Sequence, residues 1–231
     1  SSFAQTQNKI GSETSTISDP DYFKRSFNLI QKFIGENKIS AGHDISSGGI
    51  ITTLLEMCFP TVTAGMNLDL TSLKSPDIIT LLFSENSGII LQSNHDLKML
   101  LGQHGITCNK IGSTTENQKI ELTYYTARHE FDVIALRDVW YSTSVALDAN
   151  QTLRGLAQER FKNYKNQALT YVFPEQFSGS PKNKIKSKKI KAAVIREQGS
   201  NSEREMAYAL QLAGFQVIDV HMTDLITGRE T

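Results

Sequence analysis

The sequence lacks several features that would assign it to a class of proteins at once. It has no net charge, since 24 Lys and Arg balance 24 Asp and Glu, which removes any global electrostatic argument for nucleic acid or anionic membranes. No run approaches the roughly eighteen unbroken apolar residues of a membrane-spanning helix. The amino-terminal stretch SSFAQTQNKIGSETS has neither the basic nor the apolar region of a signal peptide. We therefore expect a soluble, cytoplasmic protein that binds neither nucleic acid nor membranes.

Cysteine is also scarce, with only Cys58 and Cys108 in the chain. They lack the paired spacing of a zinc site and could form at most one disulfide. The stretch LLEMCF places Cys58 inside a helix, and GITCNKIG places Cys108 in a buried strand. We expect both to be reduced core thiols, because neither lies on the strand-to-helix elbow that exposes a cysteine nucleophile.

Apolar periodicity predicts alternating helices and strands after residues 1–18, a polar stretch that fits a loop or the frayed end of something longer. Asp19-Pro20 begins an amphipathic helix that ends at Gly35, with an apolar face formed by Phe23, Phe27, Ile30 and Ile34. The further predicted elements are a strand in KISAGHDIS, a helix over about 50–59, a strand near 68–70, a helix opened by Ser75-Pro76-Asp77, a buried strand GIILQ, a helix capped by Asn94, strands near 108–111 and over 119–124, and helical structure from Ala135 to about Tyr164. This alternation predicts a layered α/β (α+β) fold in which helices pack on a mixed sheet.

The carboxyl-terminal part begins with an exposed connector, VFPEQFSGSPKNKIKSKKIK, which has six lysines between Lys182 and Lys191. A strand (AAVIRE), a helix (GSNSEREMAYALQLAG) and a second strand (FQVIDVHM) follow, with a capping box at 200–205 and Gly214 as the terminating glycine. One βαβ unit cannot cover both faces of a parallel sheet, so we expect it to be cut from a larger α/β domain and to be mobile or completed by another chain. We predict three regions: a first domain over 1–148, a helical segment and linker over 149–188, and the start of a second domain over 189–231.

The stretch HDISSGGIITTLLEMCF, residues 43–59, has the residue types of a ligand-binding turn. Ser46, Ser47 and the glycines precede a helix whose free N–H groups could bind phosphate, and Asp44 could hold the accompanying Mg²⁺. A tight turn that only caps the helix, with Asp44 in solvent, explains the same residues. His221 fits a strand-end or hydrogen-bonded residue better than a catalytic base.

Two segments resemble one enzyme family. HDISSGGIITTLLEMCF resembles the HDxSDGGLLxTLxEMAF signature of the large-form phosphoribosylformylglycinamidine synthases, and residues 191–231 resemble the opening of their glutaminase domain (REQGxNSxxEMAxAxxxAGFxxxDVHMxDL). LLFSENSGIILQ and the SSFAQ start are similar to the same family. The resemblance implies a C-terminal domain like that of aminoimidazole ribonucleotide synthetase, followed by a truncated βαβ unit of a class I glutamine amidotransferase domain.

The resemblance also implies a function. The family makes formylglycinamidine ribonucleotide from formylglycinamide ribonucleotide and glutamine, with ATP, and one of its nucleotide sites holds a largely structural Mg-nucleotide. Matched residue by residue, Asp44 is the metal ligand and Ser46 the nucleotide contact of that auxiliary ATP/ADP site, and no catalytic residue of the family falls within this chain. Ser47 and Asn86 stand where the family has acids, which lowers the local negative charge and weakens the expected Mg²⁺ binding.

The sequence is compatible with three hypotheses. The first is an inactive internal piece of such a synthase, which associates with the rest of the parent chain and could self-associate through the incomplete tail. The second is a standalone, non-catalytic nucleotide-binding or interaction module. The third, a relative of selenophosphate synthetase or thiamine-phosphate kinase, is disfavoured by REQGSNSEREM, because those enzymes have no attached glutaminase.

Overall fold

The computed structural model describes residues 1–11, 14–164, 166, 172–176 and 190–229. It divides into two compact units, Ser1–Gln167 and Ala168–Thr231. Most of the predicted connector, including 177–189, lies outside the described residues. No helix in the described part of the chain is long and apolar enough to cross a membrane.

The first unit contains seven helices and six strands among its described residues. The helices are α1 (Ser2–Thr6), α2 (Pro20–Gly35), α3 (Gly49–Cys58), α4 (Ile78–Phe83), α5 (Leu97–Gly102), α6 (Val133–Asp148) and α7 (Leu156–Asn163). The strands are β1 (Ala41–Asp44), β2 (Gly65–Asp69), β3 (Ile89–Gln92), β4 (Gly112–Thr115), β5 (Lys119–Tyr124) and β6 (Ala127–Asp132).

A four-stranded sheet in the order β4-β2-β5-β6 organises this unit. Strand β2 pairs antiparallel with β4 and parallel with β5, and β5 pairs antiparallel with β6. The sheet is therefore mixed, and the predicted layered α/β fold is confirmed.

One face of the sheet is buried against helices. In β5 the side chains of Ile120 and Leu122 are 0% and 1% exposed, while the alternate residue Glu121 is exposed, as expected of a sheet with one solvated face. The sheet core comprises Leu54 and Cys58 from α3, Leu70 after β2, Ile120 and Leu122 from β5, and Val133 at the start of α6. This burial fixes the position of α3, whose N-terminus follows the candidate turn.

A second core joins α2 to α5 and corrects one prediction. The helical core comprises Leu29, Phe33, Leu97, Leu101 and Ile106. Helix α2 has the predicted bounds and Asp19 cap, and Ile30 is buried, but Phe23, Phe27 and Ile34 are about half exposed. Because α5 packs on the Leu29 and Phe33 face, most of the predicted apolar face points to solvent.

Strands β1 and β3 form a separate two-stranded antiparallel sheet, with Asp44 opposite Ile89. The prediction that β3 is fully buried was wrong, since its residues are exposed or only half-buried. Its two central residues pack only partly, Ile90 against the sheet core and Leu91 against the helical core. This small sheet ends at Asp44, and the candidate turn begins there.

The second unit has a two-stranded sheet of β7 (Lys191–Arg196) and β8 (Gln216–His221), together with α8 (Glu203–Leu212) and α9 (Met222–Ile226). The strands are parallel, with Ile195 opposite Val220, so the predicted βαβ unit is confirmed. Gly214 follows α8 with φ 92°, as predicted for a terminating glycine. The predicted capping box is wrong, because the cap residue Ser202 has φ 65° and its side chain caps no N–H group.

Other local predictions were wrong where tertiary pairing or cap geometry decides the outcome. Cys108 is half-buried and lies in no strand, because the strand begins only at Gly112. Asp96, not Asn94, caps α5. The predicted long helix is interrupted between α6 and α7, where Gly155 has φ 94°. Strand β6 was not predicted, and helix α1 replaces part of the expected amino-terminal loop.

Candidate functional site

The candidate turn joins the end of β1 to the start of α3. Asp44 is the last residue of β1, and its side chain is 80% exposed. Ser46 and Ser47 are exposed in the turn, and the Ser46 carbonyl accepts a hydrogen bond from the Gly49 N–H at 3.0 Å. The structure therefore places Asp44 and Ser46 on the surface near the N-terminus of α3.

The backbone of Asp44 is held by two side-chain donors. Its carbonyl oxygen lies 2.8 Å from Nδ1 of His43 and 3.2 Å from the Thr53 hydroxyl. Thr53 is 1% exposed and also lies 3.2 Å from the Gly49 carbonyl. The peptide is thus fixed on the protein side, while the carboxylate faces solvent.

The glycine pair has a packing role. Gly49 has φ 73°, and a Cβ atom there would lie 2.5 Å from the Leu82 carbonyl oxygen and 2.7 Å from the Phe83 Cα. A Cβ at Gly48 (φ 89°) would collide with the side chain of Thr52. The glycines therefore permit the turn and the close approach of α3 to α4, which is a different reason from the phosphate access that the sequence suggested.

A carboxylate already lies at the N-terminus of α3. One oxygen of Glu85 accepts hydrogen bonds from the Gly48 N–H at 2.9 Å and the Ser2 N–H at 2.7 Å. These two backbone donors hold the pKa of Glu85 below its usual range. Because Glu85 satisfies the Gly48 donor, a phosphate at this turn has to use other groups. Sequence reasoning missed Glu85, although it is the first acid of the LLFSENSG motif.

A second carboxylate lies behind the turn. Glu56 on α3 has one oxygen 3.4 Å from Nε2 of His43, and its other oxygen accepts a hydrogen bond from the Trp140 indole N–H at 3.1 Å. Trp140 on α6 also contacts the Phe59 ring, with centroids 5.3 Å apart. This row of side chains links α6 to the end of β1, and no local sequence signal marks it.

The turn fits one edge of a Mg-nucleotide site. Mg²⁺ is often held by only one or two protein carboxylates, with phosphates and water supplying its other ligands, and Asp44 offers one such carboxylate. Among the described residues no group of three or more acids, histidines and cysteines could hold a metal ion. Asn86, in the place of a family acid, is exposed and donates to the Ser84 hydroxyl at 3.0 Å. Asp44 would therefore hold the metal with little help from neighbouring carboxylates.

The other histidines and the two cysteines lie in surroundings typical of structural residues. His221 ends β8 and caps α9, its Nδ1 lying 2.8 Å from the Thr223 hydroxyl, so its predicted place at a strand end is confirmed. His95, His104 and His129 are exposed. Burial raises the pKa of the Cys58 thiol to about 11 and also raises that of Cys108, which disfavours the reactive thiolate form of both.

Comparisons with known proteins match both parts of the chain. Residues 1–125 match the family "AIR synthase related protein, C-terminal domain", and residues 189–231 match the family "CobB/CobQ-like glutamine amidotransferase domain". The predicted resemblance is thereby confirmed in both segments and in their order.

Among curated proteins, the chain is 36% identical over 244 aligned positions to the probable phosphoribosylformylglycinamidine synthase, chloroplastic/mitochondrial, of Arabidopsis thaliana. It is 32% identical to the human phosphoribosylformylglycinamidine synthase. These alignments cover 99% and 97% of the chain, which spans 17% of the length of either relative. Among solved structures, T. maritima PurL complexed with ATP is similar over 52% of this chain and 22% of that protein, at 18% identity and a TM-score of 0.46. Residues 1–125 make up more than half of the chain, so the chain belongs to the family "AIR synthase related protein, C-terminal domain".

Proposed function

We propose that this chain forms part of an ATP-dependent ligase of purine biosynthesis. The reaction converts formylglycinamide ribonucleotide and glutamine to formylglycinamidine ribonucleotide. Support comes from the relatives, which bear the name phosphoribosylformylglycinamidine synthase and align with nearly the whole chain, and from the two family models matched in sequence. The chain has no catalytic residue of its own in this proposal and acts together with the rest of a parent protein.

Within that function, Asp44 is the metal ligand and Ser46 the nucleotide contact of an auxiliary Mg-ATP or Mg-ADP site. The observation that best supports this role is the Asp44 carboxylate, which is 80% exposed although two side chains fix its peptide. A residue with a fixed backbone and a solvent-facing carboxylate is well placed to bind a metal ion, because its backbone loses little conformational entropy on binding. The Ser46 hydroxyl, exposed in the turn, would donate to a phosphate oxygen, and the metal would neutralise phosphate charge there.

The hydrogen bonds around the turn support this role over that of a simple cap. A capping turn would use its side chains to satisfy the first N–H groups of the helix. The cap residue of α3 is Gly48, which has no side chain, and Glu85 from another segment accepts the hydrogen bond from the Gly48 N–H instead. Ser46 and Asp44 are thereby left available for a ligand.

Binding of a paramagnetic metal tests the site directly. Mn²⁺, as a substitute for Mg²⁺, is titrated into the isotope-labelled 231-residue chain with and without ADP, and amide broadening is followed by NMR. We expect millimolar binding that broadens the amides of 44–49 first, because one carboxylate and water form a weak Mg²⁺ site. Asp44→Asn should abolish the broadening, and the matched surface control Glu116→Gln should leave it unchanged. Equal broadening in wild type and Asp44→Asn would refute the metal role.

An activity assay tests the proposal that the chain is inactive alone. We expect no glutamine hydrolysis by the isolated chain, because burial raises the pKa of both cysteine thiols and the family nucleophile is not among its residues. We expect no ATP hydrolysis, because in this proposal the chain has no catalytic residue of its own. Glutamine hydrolysis that disappears in Cys58→Ser or Cys108→Ser would contradict the proposal. Sedimentation of the same sample shows whether the chain self-associates.

A further inference from the structure

His43 has a neighbouring oxygen at each ring nitrogen. Nδ1 lies 2.8 Å from the Asp44 carbonyl oxygen, and because a carbonyl only accepts, Nδ1 must donate. Nε2 lies 3.4 Å from a carboxylate oxygen of Glu56, which is ion-pair distance for a ring that carries a proton on both nitrogens. The ring therefore bridges the backbone of the candidate metal ligand and an acid on α3.

Glu56 is itself held in place. Its second oxygen accepts from the Trp140 indole N–H at 3.1 Å, and its side chain is only 24% exposed. Contact with Phe59 in turn positions the indole ring. Contacts with its neighbours restrict the rotation of each of these side chains, from α6 to the end of β1.

The imidazole also lies beside the Asp44 carboxylate. His43 Nδ1 is 3.7 Å from one Asp44 carboxylate oxygen, so the ring limits the directions in which that side chain can turn. Asp44 itself is otherwise exposed. The direction of the carboxylate thus depends on His43 more than on packing.

We propose that His43, Glu56 and Trp140 form a positioning relay that orients Asp44 for its metal, an inference that rests on the proposed function. Residues that orient a metal ligand typically change metal affinity by about 10- to 100-fold when they are substituted. His43 acts through its hydrogen bond to the Asp44 backbone and its contact with the Asp44 carboxylate, and it is not itself a ligand. The relay gives a role to partly buried polar groups that fix the Asp44 backbone while the carboxylate stays exposed.

Two substitutions of His43 test its contacts with Asp44 and Glu56 separately. The side-chain nitrogen of Asn can replace Nδ1, and that of Gln can replace Nε2. His43→Gln should therefore keep the contact with Glu56 and lose the bond to the Asp44 carbonyl, and we expect about tenfold weaker Mn²⁺ binding. His43→Asn should keep the Asp44 bond and bind Mn²⁺ more tightly than His43→Gln does.

Trp140 supplies an independent optical readout, because it is the only tryptophan in the chain. His43→Asn, which frees Glu56, should shift the Trp140 emission of the metal-free protein, whereas His43→Gln should leave it near the wild-type value. Glu56→Gln is the second test. It keeps an acceptor for the indole but removes the charge opposite His43, and it should weaken Mn²⁺ binding in a variant that folds with the wild-type thermal midpoint.

The outcomes distinguish the two proposals. If Asp44→Asn abolishes Mn²⁺ binding while His43→Gln and Glu56→Gln bind as wild type, the relay is refuted and the metal site stands. If Asp44→Asn binds Mn²⁺ normally, both proposals fail. The expected order of affinity, with wild type above His43→Asn and His43→Asn above His43→Gln, together with the emission shift only in His43→Asn, supports the relay.

Discussion

The two units of the chain build their sheets in different ways. In Ser1–Gln167 a mixed four-stranded sheet buries one face, and Leu70, Ile120 and Leu122 are at most 1% exposed. In Ala168–Thr231 two parallel strands pair, and Val220, at 4%, is the most buried hydrophobic side chain among the described residues there. Parallel pairs need cover on both faces, whereas a sheet with antiparallel strands tolerates one solvated face. The comparison indicates that most of the stabilising burial lies in the first unit.

The largest expected difference comes from truncating one core side chain in each unit. Leu122→Ala should lower the opening free energy of the β5 amides by about 4 kcal/mol, because it leaves a cavity at a site with no exposed surface. Val220→Ala should lower that of the β8 amides by about 1.5 kcal/mol. Hydrogen exchange resolved by segment measures both values. A larger loss for Val220→Ala would show that the second unit has the better packed core.

Glycine substitutions test the same difference in packing between the two units. Gly49 and Gly199 both have positive φ, but a Cβ at Gly49 meets the backbone of α4, whereas nothing lies within 4 Å of one at Gly199. Gly49→Ala should cost about 3 kcal/mol from strain and overpacking together, and Gly199→Ala about 1 kcal/mol from the backbone alone. Urea unfolding followed by circular dichroism gives the two values. Equal losses of unfolding free energy in the two variants would mean that α3 and α4 can move apart without loss of stability.

The smallest effect concerns the charge at the start of α3. Because backbone donors lower the folded-state pKa of Glu85, its contribution to stability is present above the unfolded-state value of about 4.3 and is lost as the pH falls through the folded-state value. Glu85 is only half-buried, so solvent screening limits the expected loss in Glu85→Gln to about 1 kcal/mol at pH 7.

Unfolding midpoints between pH 3 and pH 7 test that sign. The difference between wild type and Glu85→Gln should shrink as the pH falls below about 4. Glu116→Gln, an exposed acid that accepts no hydrogen bond from the described residues, is the control and should match wild type throughout. A difference that is independent of pH would mean that the Glu85 charge does not stabilise the turn.

Local signals predicted much of the fold. The Asp19-Pro20 start of α2 and the alternation in Lys119–Tyr124 depend on neighbouring residues, and both elements have the expected bounds. Strand β6 was missed because ARHEFD has little alternation, and its structure depends on pairing with β5. Likewise, periodicity indicated that α2 is amphipathic but could not reveal which of its apolar sides meets α5.

The candidate site was predictable only in part. Asp44 and Ser46 were identified through a motif within one stretch, and their exposure is compatible with the role. The bonds from Trp140 to Glu56 and from Ser2 to Glu85 join residues 84 and 83 positions apart. Such pairs arise from the packing of whole elements, so a single sequence does not reveal them.

The pairing of β2 has a consequence during protein synthesis. Both neighbours of this strand, β4 and β5, begin more than about forty residues after it ends. At a translation rate of about 5–20 residues per second, roughly 2–10 s pass between the synthesis of Met66 and Leu68 and the synthesis of either partner strand. During that interval the apolar side of α3 also has no sheet to cover it. The nascent chain therefore exposes the apolar residues of β2 and α3 for several seconds. Slower translation would lengthen this interval and raise the risk of aggregation.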